Sequence, residues 1–491
     1  MQGSNVPRPL SWSNLPVDIL ITIMGFATPH DILALRKVSK SLSHITHVRS
    51  VWIDALRRVC TQHDIYTPSF PSTEMTLDEL ERVATACRRF SSSLRHEFVS
   101  RQIVWPASIR YLHLSDSTHP EEHFRHVRLV PGGRFLLTSS GCTIRLWDIE
   151  RSQENPNMLP IASFTIDDGV SDIQSIRVRA SKSSAEVLVI VSSTELRSVY
   201  RVHVFTIFPP ASSPEFIPFV PPLALGMEDE WPSIICSTSQ HVAVSTGSST
   251  VLWDFIADRW TSWPAEPNNA NNTIYICNRN ILTMRADHSE IHWAAFPTLH
   301  RRSLSAVPPQ IQDLPILQIF KLRRFGQLEP LDDCLSGVSL VFHGRETSTF
   351  ERPSHIDIFS DHGSRALFTH FALMPIVDAN RTDNTVRCEL VPLGESLLQA
   401  AYATAHSLRI EWAGHHDVQS FAVAEGVLHV CLSDTEKASS VSGILAIPGV
   451  DEVDEYHIDF CSFSGRVCAR MATEDGVKVL VMDYLTPKPT Q

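Results

Sequence analysis

No two cysteines in this chain are spaced C-x-x-C. The ten are scattered and the closest pair, Cys461 and Cys468, lies seven residues apart. That excludes a zinc ribbon and a thioredoxin-type dithiol, and it reads as reduced, mostly buried thiols. Long apolar runs are missing as well. Val187–Val191 is typical, far short of the roughly 20 residues a membrane-spanning helix needs. The segment Met1 to Leu10 lacks the apolar core of a secretory signal. Positive charge is in deficit, with 42 Lys+Arg against 54 Asp+Glu for a net charge of −12, which argues against nucleic-acid binding through overall basic charge. G-x-G-x-x-G, G-x-x-x-x-G-K-[ST] and G-x-S-x-G are all absent, and with them the common phosphate cradles and the nucleophile elbow. The expectation is a soluble cytoplasmic or nuclear protein with no cofactor, no metal, no nucleic acid and no membrane partner.

What is present is ordinary in amount and uneven in placement. Hydrophobic residues make up 43% and charged residues 20% of 491, close to the globular average. That length suggests about two to four domains or one large repetitive one. Residues 1–100 carry eleven Lys+Arg and nine Asp+Glu, about +2, which leaves 31 − 45 = −14 for the rest.

The first hundred residues carry helical signals. Leu15-Pro16 opens an apolar run from Val17 to Ala27, with Asp18 in the first turn where the helix dipole favours a carboxylate. Thr28-Pro29-His30-Asp31 reads as a second start, with Thr28 as N-cap and Pro29 at the first helical position. Further helices are expected over about Ser39–His47 and Val51–Cys60. Thr76-Leu77-Asp78-Glu79 offers a capping box for one longer helix reaching about Phe98.

From about residue 101 the hydrophobic period shortens to two, in runs bounded by Gly, Ser, Asn and Pro. Gly132 to Asp148 reads as a strand, a small-residue turn and an alternating strand ending Trp147-Asp148. His241 to Asp254 repeats it and ends Trp253-Asp254, and Ile281 to Trp293 is a weaker third copy. With Phe205 in the gap, the steps from Trp147 to Trp293 are 58, 48 and 40 residues, and further candidates end near Phe359, Leu390, Leu445 and Tyr484. A four-stranded propeller blade takes about 40–45 residues. Six to eight blades are expected, with seven favoured, and a large β-sandwich is the rival fold. The Pro/Asn-rich stretches Pro209–Pro222 and Pro264–Thr273 read as inter-strand loops.

In Val17–Ala27 the polar positions Asp18, Thr22 and Gly25 form one narrow stripe, and nearly everything else is apolar. A surface helix normally has one apolar face, and a unit of about 50 residues cannot hide two by itself. The second face must meet either the β domain or another protein. The order of residues, Leu15-Pro16-x-Asp18-Ile19-Leu20-x-x-Ile23-Met24-x-Phe26-x-x-Pro29-x-Asp31-Ile32-Leu33-x-Leu35-Arg36-x-Val38-Ser39-Lys40 followed by Val51-Trp52, strongly resembles the F-box over about residues 13–55. In that family the motif is a three-helix module that docks on the Skp adaptor of a Skp–cullin–F-box (SCF) ubiquitin ligase. The resemblance implies adaptor contacts at Leu15, Pro16, Asp18, Ile19, Leu20, Ile23, Pro29, Leu33, Leu35 and Val38. Ala27 stands where a larger apolar residue is usual, and Leu42 where tryptophan often occurs.

The histidines and carboxylates offer little for catalysis. His119-Pro120-Glu121-Glu122-His123 with His126 has the i, i+4 spacing of a zinc helix, but Pro120 spoils the helix. His415-His416-Asp417, Asp167-Asp168 and Asp451-Glu452 read as solvated turns. The expected organisation is therefore a tail over 1–11, an F-box module over 12–60, a helical linker over 61–100, a β-propeller-like domain over 101–485 and a tail over 486–491. The expected function is a non-catalytic subunit joining Skp, and through it cullin, to a protein target on the propeller. An F-box scaffold without a degradation target, or a propeller enzyme with a structural helical head, are the alternatives. The acidic β domain would favour basic targets.

Overall fold

The computed structural model describes residues 15–485 apart from 115–123, 151–156, 167–169, 182–184, 196–198, 228–231, 266–273, 278–279, 286–289, 303–307, 322–337, 344–353, 362–365, 377–386, 399–408, 413–416, 425–426, 435–438, 449–457 and 474–475. Both expected tails, the His119–His123 motif, His415-His416 and the pairs Asp167-Asp168 and Asp451-Glu452 lie outside the described residues.

Six helices come first: α1 Val17–Met24, α2 Pro29–Leu35, α3 Lys40–Thr46, α4 Arg49–Gln62, α5 Leu77–Ala84 and α6 Ala86–Ser100. The local signals act as read. The Asp31 amide donates to Thr28 Oγ1 at 3.2 Å and the Thr28 amide to Asp31 Oδ2 at 3.1 Å, a complete capping box. Thr76 and Glu79 form the same box ahead of α5. The single helix expected over 77–98 is in fact two. Thr85 sits at φ −100°, ψ −1° between them, and its hydroxyl donates to the carbonyls of Glu81 and Arg82, drawing the chain off the helical path.

Among the described residues the strands form seven sheets, within the six to eight expected. The first blade is His126–Leu129, Phe135–Ser140, Thr143–Asp148 and Ala162–Thr165. The second is Val170–Ala180, Val187–Glu195, Val199–Ile207 and Ile217–Gly226. The third is Ser233–Ser237, His241–Ser245, Ser249–Asp254 and Arg259–Pro264, extended by His300–Arg301. The fourth is Ile274–Cys277, Asn280–Arg285, Glu290–Ala295 and Ile316–Lys321. The fifth is Val338–His343, Ser354–Asp361, Ala366–Ile376 and Arg387–Leu398. The sixth is Arg409–Trp412, Asp417–Ala424, Val427–Asp434 and Ser439–Leu445, extended by Ile103–Val104. The seventh is Ile458–Cys461, Arg466–Thr473, Gly476–Asp483 and, as its outer strand, Ser108–Leu114, with Asn157–Met158 beyond it. Each blade touches the next through its strands or a shared apolar cluster, and the seventh touches the first through Ile458–Cys461 and His126–Leu129. The result is a closed β-propeller.

The Trp-Asp repeats have a physical basis. Trp147 and Trp253 are fully buried between blades. Trp147 Nε1 donates to Thr138 Oγ1 at 2.9 Å and Trp253 Nε1 to Asp258 Oδ1 at 3.2 Å, so each buried indole N–H is satisfied. Asp148 is paired with Arg134 at 2.9 Å, while Asp254 accepts the amides of Ile256 and Ala257 and so organises the following turn. One expected loop is a strand. Ile217–Gly226, within and beyond Pro209–Pro222, is the outer strand of the second blade, where an edge tolerates Pro218, Pro221 and Pro222 because one side needs no N–H donors.

Residues 61–100 pack on the ring through Tyr66 and α6, while α5 packs on α4 of the head. Tyr66 is buried against Phe135, with centroids 6.3 Å apart, and its amide donates to Pro131 O at 3.1 Å. Phe90, Leu94 and Phe98 of α6 join the apolar cluster of the sixth and seventh blades. Gly443 permits this approach, since a Cβ there would fall 2.1 Å from the Phe98 ring. The helices α1–α4 share one core with Leu129, Trp147 and Phe463, which fuses the head to the ring.

Candidate functional site

The surface of the head follows from the 3.6-residue period of α1 and the turn after it. Leu20, Met24 and Ala27, at i, i+4, i+7, point inward, and Leu20 is 2% exposed. Asp18 and Thr22 lie outward on the polar stripe with Gly25. A third stripe, Ile19, Ile23 and Phe26, flanks the inward one. Ile19 is 44% and Phe26 85% exposed, while Ile23 is half-buried against the head core. Val17 (56%) and Val38 (69%) add to the apolar area presented to solvent. Exposed large apolar side chains in such numbers on so small a unit mark an interaction surface.

The support beneath is closely packed. Ile32, Ile45, Val51 and Trp52 are buried beside Leu20 and Met24. Trp52 Nε1 donates to Thr46 O at 2.7 Å. Arg36, at the end of α2, lies 5.8 Å from the Trp52 ring centroid and makes a two-pronged contact with Glu81 of α5, at 2.7 and 3.2 Å. Arg58 Nη2 donates to Met24 O at 3.3 Å, a second hydrogen bond on a carbonyl at the end of α1 that also accepts the Ala27 amide at 3.1 Å. The Thr28 hydroxyl and amide, donating to Asp31, hold its carboxyl below the usual carboxylate range.

Of the residues named from the sequence, Pro16, Asp18, Ile19 and Val38 are exposed. Leu15, Ile23, Pro29, Leu33 and Leu35 are half-buried, and Leu20 belongs to the interior. Val17 and Phe26 are surface residues that the sequence reading passed over. Phe26 had a usable signal, because it stands seven residues after Ile19 and so shares its helical face. Among the described residues no three His, Cys, Asp or Glu side chains are grouped as metal ligands, and no helix is long and apolar enough to cross a membrane.

Residues 12–62 match the F-box-like family model. This chain carries an F-box-like domain joined to a β-propeller. The match spans α1 to α4, so α4, with Val51 and Trp52 in its first turn, belongs to the F-box-like domain. No curated protein matches the chain. Among solved structures it is similar to the WD40 domain of SCAP from fission yeast, with 11% identity and a TM-score of 0.39 over 74% of this chain and 84% of that one. It is also similar to the Dos1 propeller, at 9% and 0.35 over 74% and 78%, and to Kluyveromyces lactis Hsv2, at 9% and 0.30 over 66% and 98%. The propeller assignment rests on the seven sheets and their closed ring of contacts. An F-box-like domain ahead of a propeller fits the layout of an F-box substrate-recognition adaptor.

Proposed function

We propose that this chain is the substrate-recognition subunit of an SCF-type ubiquitin ligase. The F-box-like domain docks on a Skp adaptor and, through it, on cullin, and the propeller holds a protein target. The observation that supports this most is the apolar surface of Ile19, Ile23 and Phe26 within the segment that matches the F-box-like model. The chain's own role is non-catalytic. Bringing target lysines and a ubiquitin thioester together raises their effective concentration without any bond-making side chain on this chain. The thiol state of the eight described cysteines, six of them buried, fits a reducing cytoplasm or nucleus.

The test is association of the purified full chain with Skp, measured by calorimetry. Ile19→Asp combined with Phe26→Asp should weaken binding at least 100-fold while leaving the melting temperature close to wild type, because both side chains are solvent-exposed. Leu20 is unsuitable as a probe, since a charge in the head core would unfold the domain and mimic lost binding. Absence of Skp binding by the wild-type chain, or binding untouched by the double substitution, would overturn the reading. Ubiquitin transfer to a captured target in a reconstituted ligase distinguishes a delivery subunit from a scaffold.

A further inference from the structure

Beyond residue 100 the chain carries 31 Lys+Arg against 45 Asp+Glu, yet three arginines gather at the inner strands of the ring. Arg128 lies on His126–Leu129 of the first blade, and Arg177 and Arg179 lie on Val170–Ala180 of the second. Alternation puts Arg177 and Arg179 on one face of their strand. The inner strands of a propeller border its axial channel. Arg128 is buried, and its Nη1 donates to Val127 O at 2.8 Å and to Ile458 O, on the inner strand of the seventh blade, at 3.3 Å. Arg177 makes one long hydrogen bond, from Nη2 to Ile234 O on the inner strand of the third blade, at 3.5 Å.

Carbonyl oxygens satisfy donors without cancelling charge. The carboxylates of neighbouring strands are engaged elsewhere: Asp172 pairs with Arg125, Glu195 with Arg201, and Asp459 accepts the amides of Leu129 and Phe460. Arg177 is exposed to solvent, yet burial is the first cause that draws its guanidinium pKa down to about 10. The charges of Arg128 and Arg179 come next, and only Tyr200 and Cys236 act the other way. A side chain that water reaches while protein surrounds it lines an internal passage. Three cations held there repel one another, and an anion among them would relieve the cost.

Arg128 stands just before the turn whose Pro131 carbonyl accepts the Tyr66 amide. Arg179 stands just before the corresponding link of the second blade, where the Ser181 amide donates to Glu186 O at 2.8 Å. The arginines therefore sit toward the end of the channel that faces the head.

We propose that Arg128, Arg177 and Arg179 bind a compact multivalent oxyanion of the phosphate class in the head-facing part of the channel. Guanidinium groups present planar forks that match phosphate oxygens. The same chemistry comes from free phosphate or pyrophosphate and from a small phosphate ester. A phosphorylated segment of another protein is a different occupant, and a site within the ring favours the small ion. The proposal does not depend on the ligase reading.

The test titrates inorganic phosphate, pyrophosphate and glycerol 3-phosphate separately into the full chain by calorimetry, with chloride holding the ionic strength constant. Pyrophosphate should bind at one site and raise the melting temperature in step with its concentration. Tighter binding of the inorganic ions than of glycerol 3-phosphate assigns the free anion, and the reverse order assigns the ester. Arg177→Gln with Arg179→Gln should weaken pyrophosphate at least tenfold. Arg179→Gln alone, at an exposed position, should weaken it at least threefold and melt no lower than wild type in chloride, because it removes a like charge. A wild type that binds none of the three anions, or affinity that both variants leave unchanged, overturns the proposal. So does an Arg179→Gln melting temperature that drops equally with and without pyrophosphate, which would make the residue structural. Binding of a phosphothreonine peptide where no free anion binds also overturns it. Skp association does not enter these measurements, so their outcome stands apart from that of the Ile19→Asp, Phe26→Asp test.

Discussion

Arg466 donates from Nε to Oδ1 of Asp483 at 2.6 Å, directly across the paired strands Arg466–Thr473 and Gly476–Asp483, the second of which holds the closing strand Ser108–Leu114. The same guanidinium reaches Glu150 and the Gly133 carbonyl in the first blade, each at 2.6 Å. Asp483 in turn accepts from Arg110 and Ser108 on the closing strand, each at 3.3 Å. Burial alone would lower the pKa of Arg466, but Asp483 and Glu150 outweigh it and the net shift is upward. One residue thus joins the first blade, the seventh blade and the strand that completes it.

Arg466→Met should cost about 3 kcal/mol, because it strips the largely buried Asp483 of its closest cation and leaves it only the longer contact from Arg110. Arg466→Lys should recover only part of this, since an ammonium cannot span Asp483 and Glu150 as the planar fork does. Urea denaturation would check both, and a lower midpoint at unchanged slope is the expected form.

Gly443→Ala should loosen the seat of α6. The added methyl collides with the Phe98 ring, and overpacking of this kind costs about 1–3 kcal/mol. Phe98→Leu in the same chain should return part of that loss, a non-additivity that a thermal-melt double-mutant cycle would register.

Thr28→Ala removes the cap of α2 and should destabilise the head by about 1 kcal/mol at neutral pH. The folded-state pKa of Asp31 is lowered, chiefly by the Thr28 hydroxyl. Its stabilisation is therefore present above the unfolded-state pKa of about 3.9 and fades as pH falls through the lowered folded value. The gap between wild type and Thr28→Ala should narrow correspondingly in melts taken from pH 6 down to pH 2.

Burial pushes the Cys60, Cys388 and Cys468 thiols up to about 12. At pH 8 they should resist a thiolate-specific reagent in the folded chain and react only at the rate of unfolding. Among the described cysteines, half-buried Cys142 and Cys236 should react first. Alkylation followed by peptide mass mapping would give the order.

Where chain chemistry is local, the sequence was readable. Thr28-Pro29-x-Asp31 and Thr76-x-x-Glu79 cap helices in the way their side chains dictate, and the Trp147 and Trp253 hairpins fall within a residue or two of where alternation put them. Where the outcome depends on tertiary partners it was not. Nothing local tells Leu20 from Ile19, because both are aliphatic residues on an almost wholly apolar helix, and the core beneath α1 decides which is hidden. Prolines in 217–226 masked an edge strand, because proline is compatible with a strand only when its missing donor faces away from the neighbour. The break at Thr85 stands inside a continuous helical pattern and is set by how α5 and α6 pack on different parts of the molecule.

Ser108 and Asp483 touch although 375 residues separate them, and the core of the F-box-like domain is finished by Phe463 and Cys468. During synthesis the helices of the head leave the ribosome well before the residues that complete their footing are made. A chain interrupted before the seventh blade would carry the exposed Ile19 and Phe26 on an unfinished foundation, with the first and sixth blades exposing unpaired flanks. The apolar surface of the head would thereby be fully supported only in molecules whose ring is already closed.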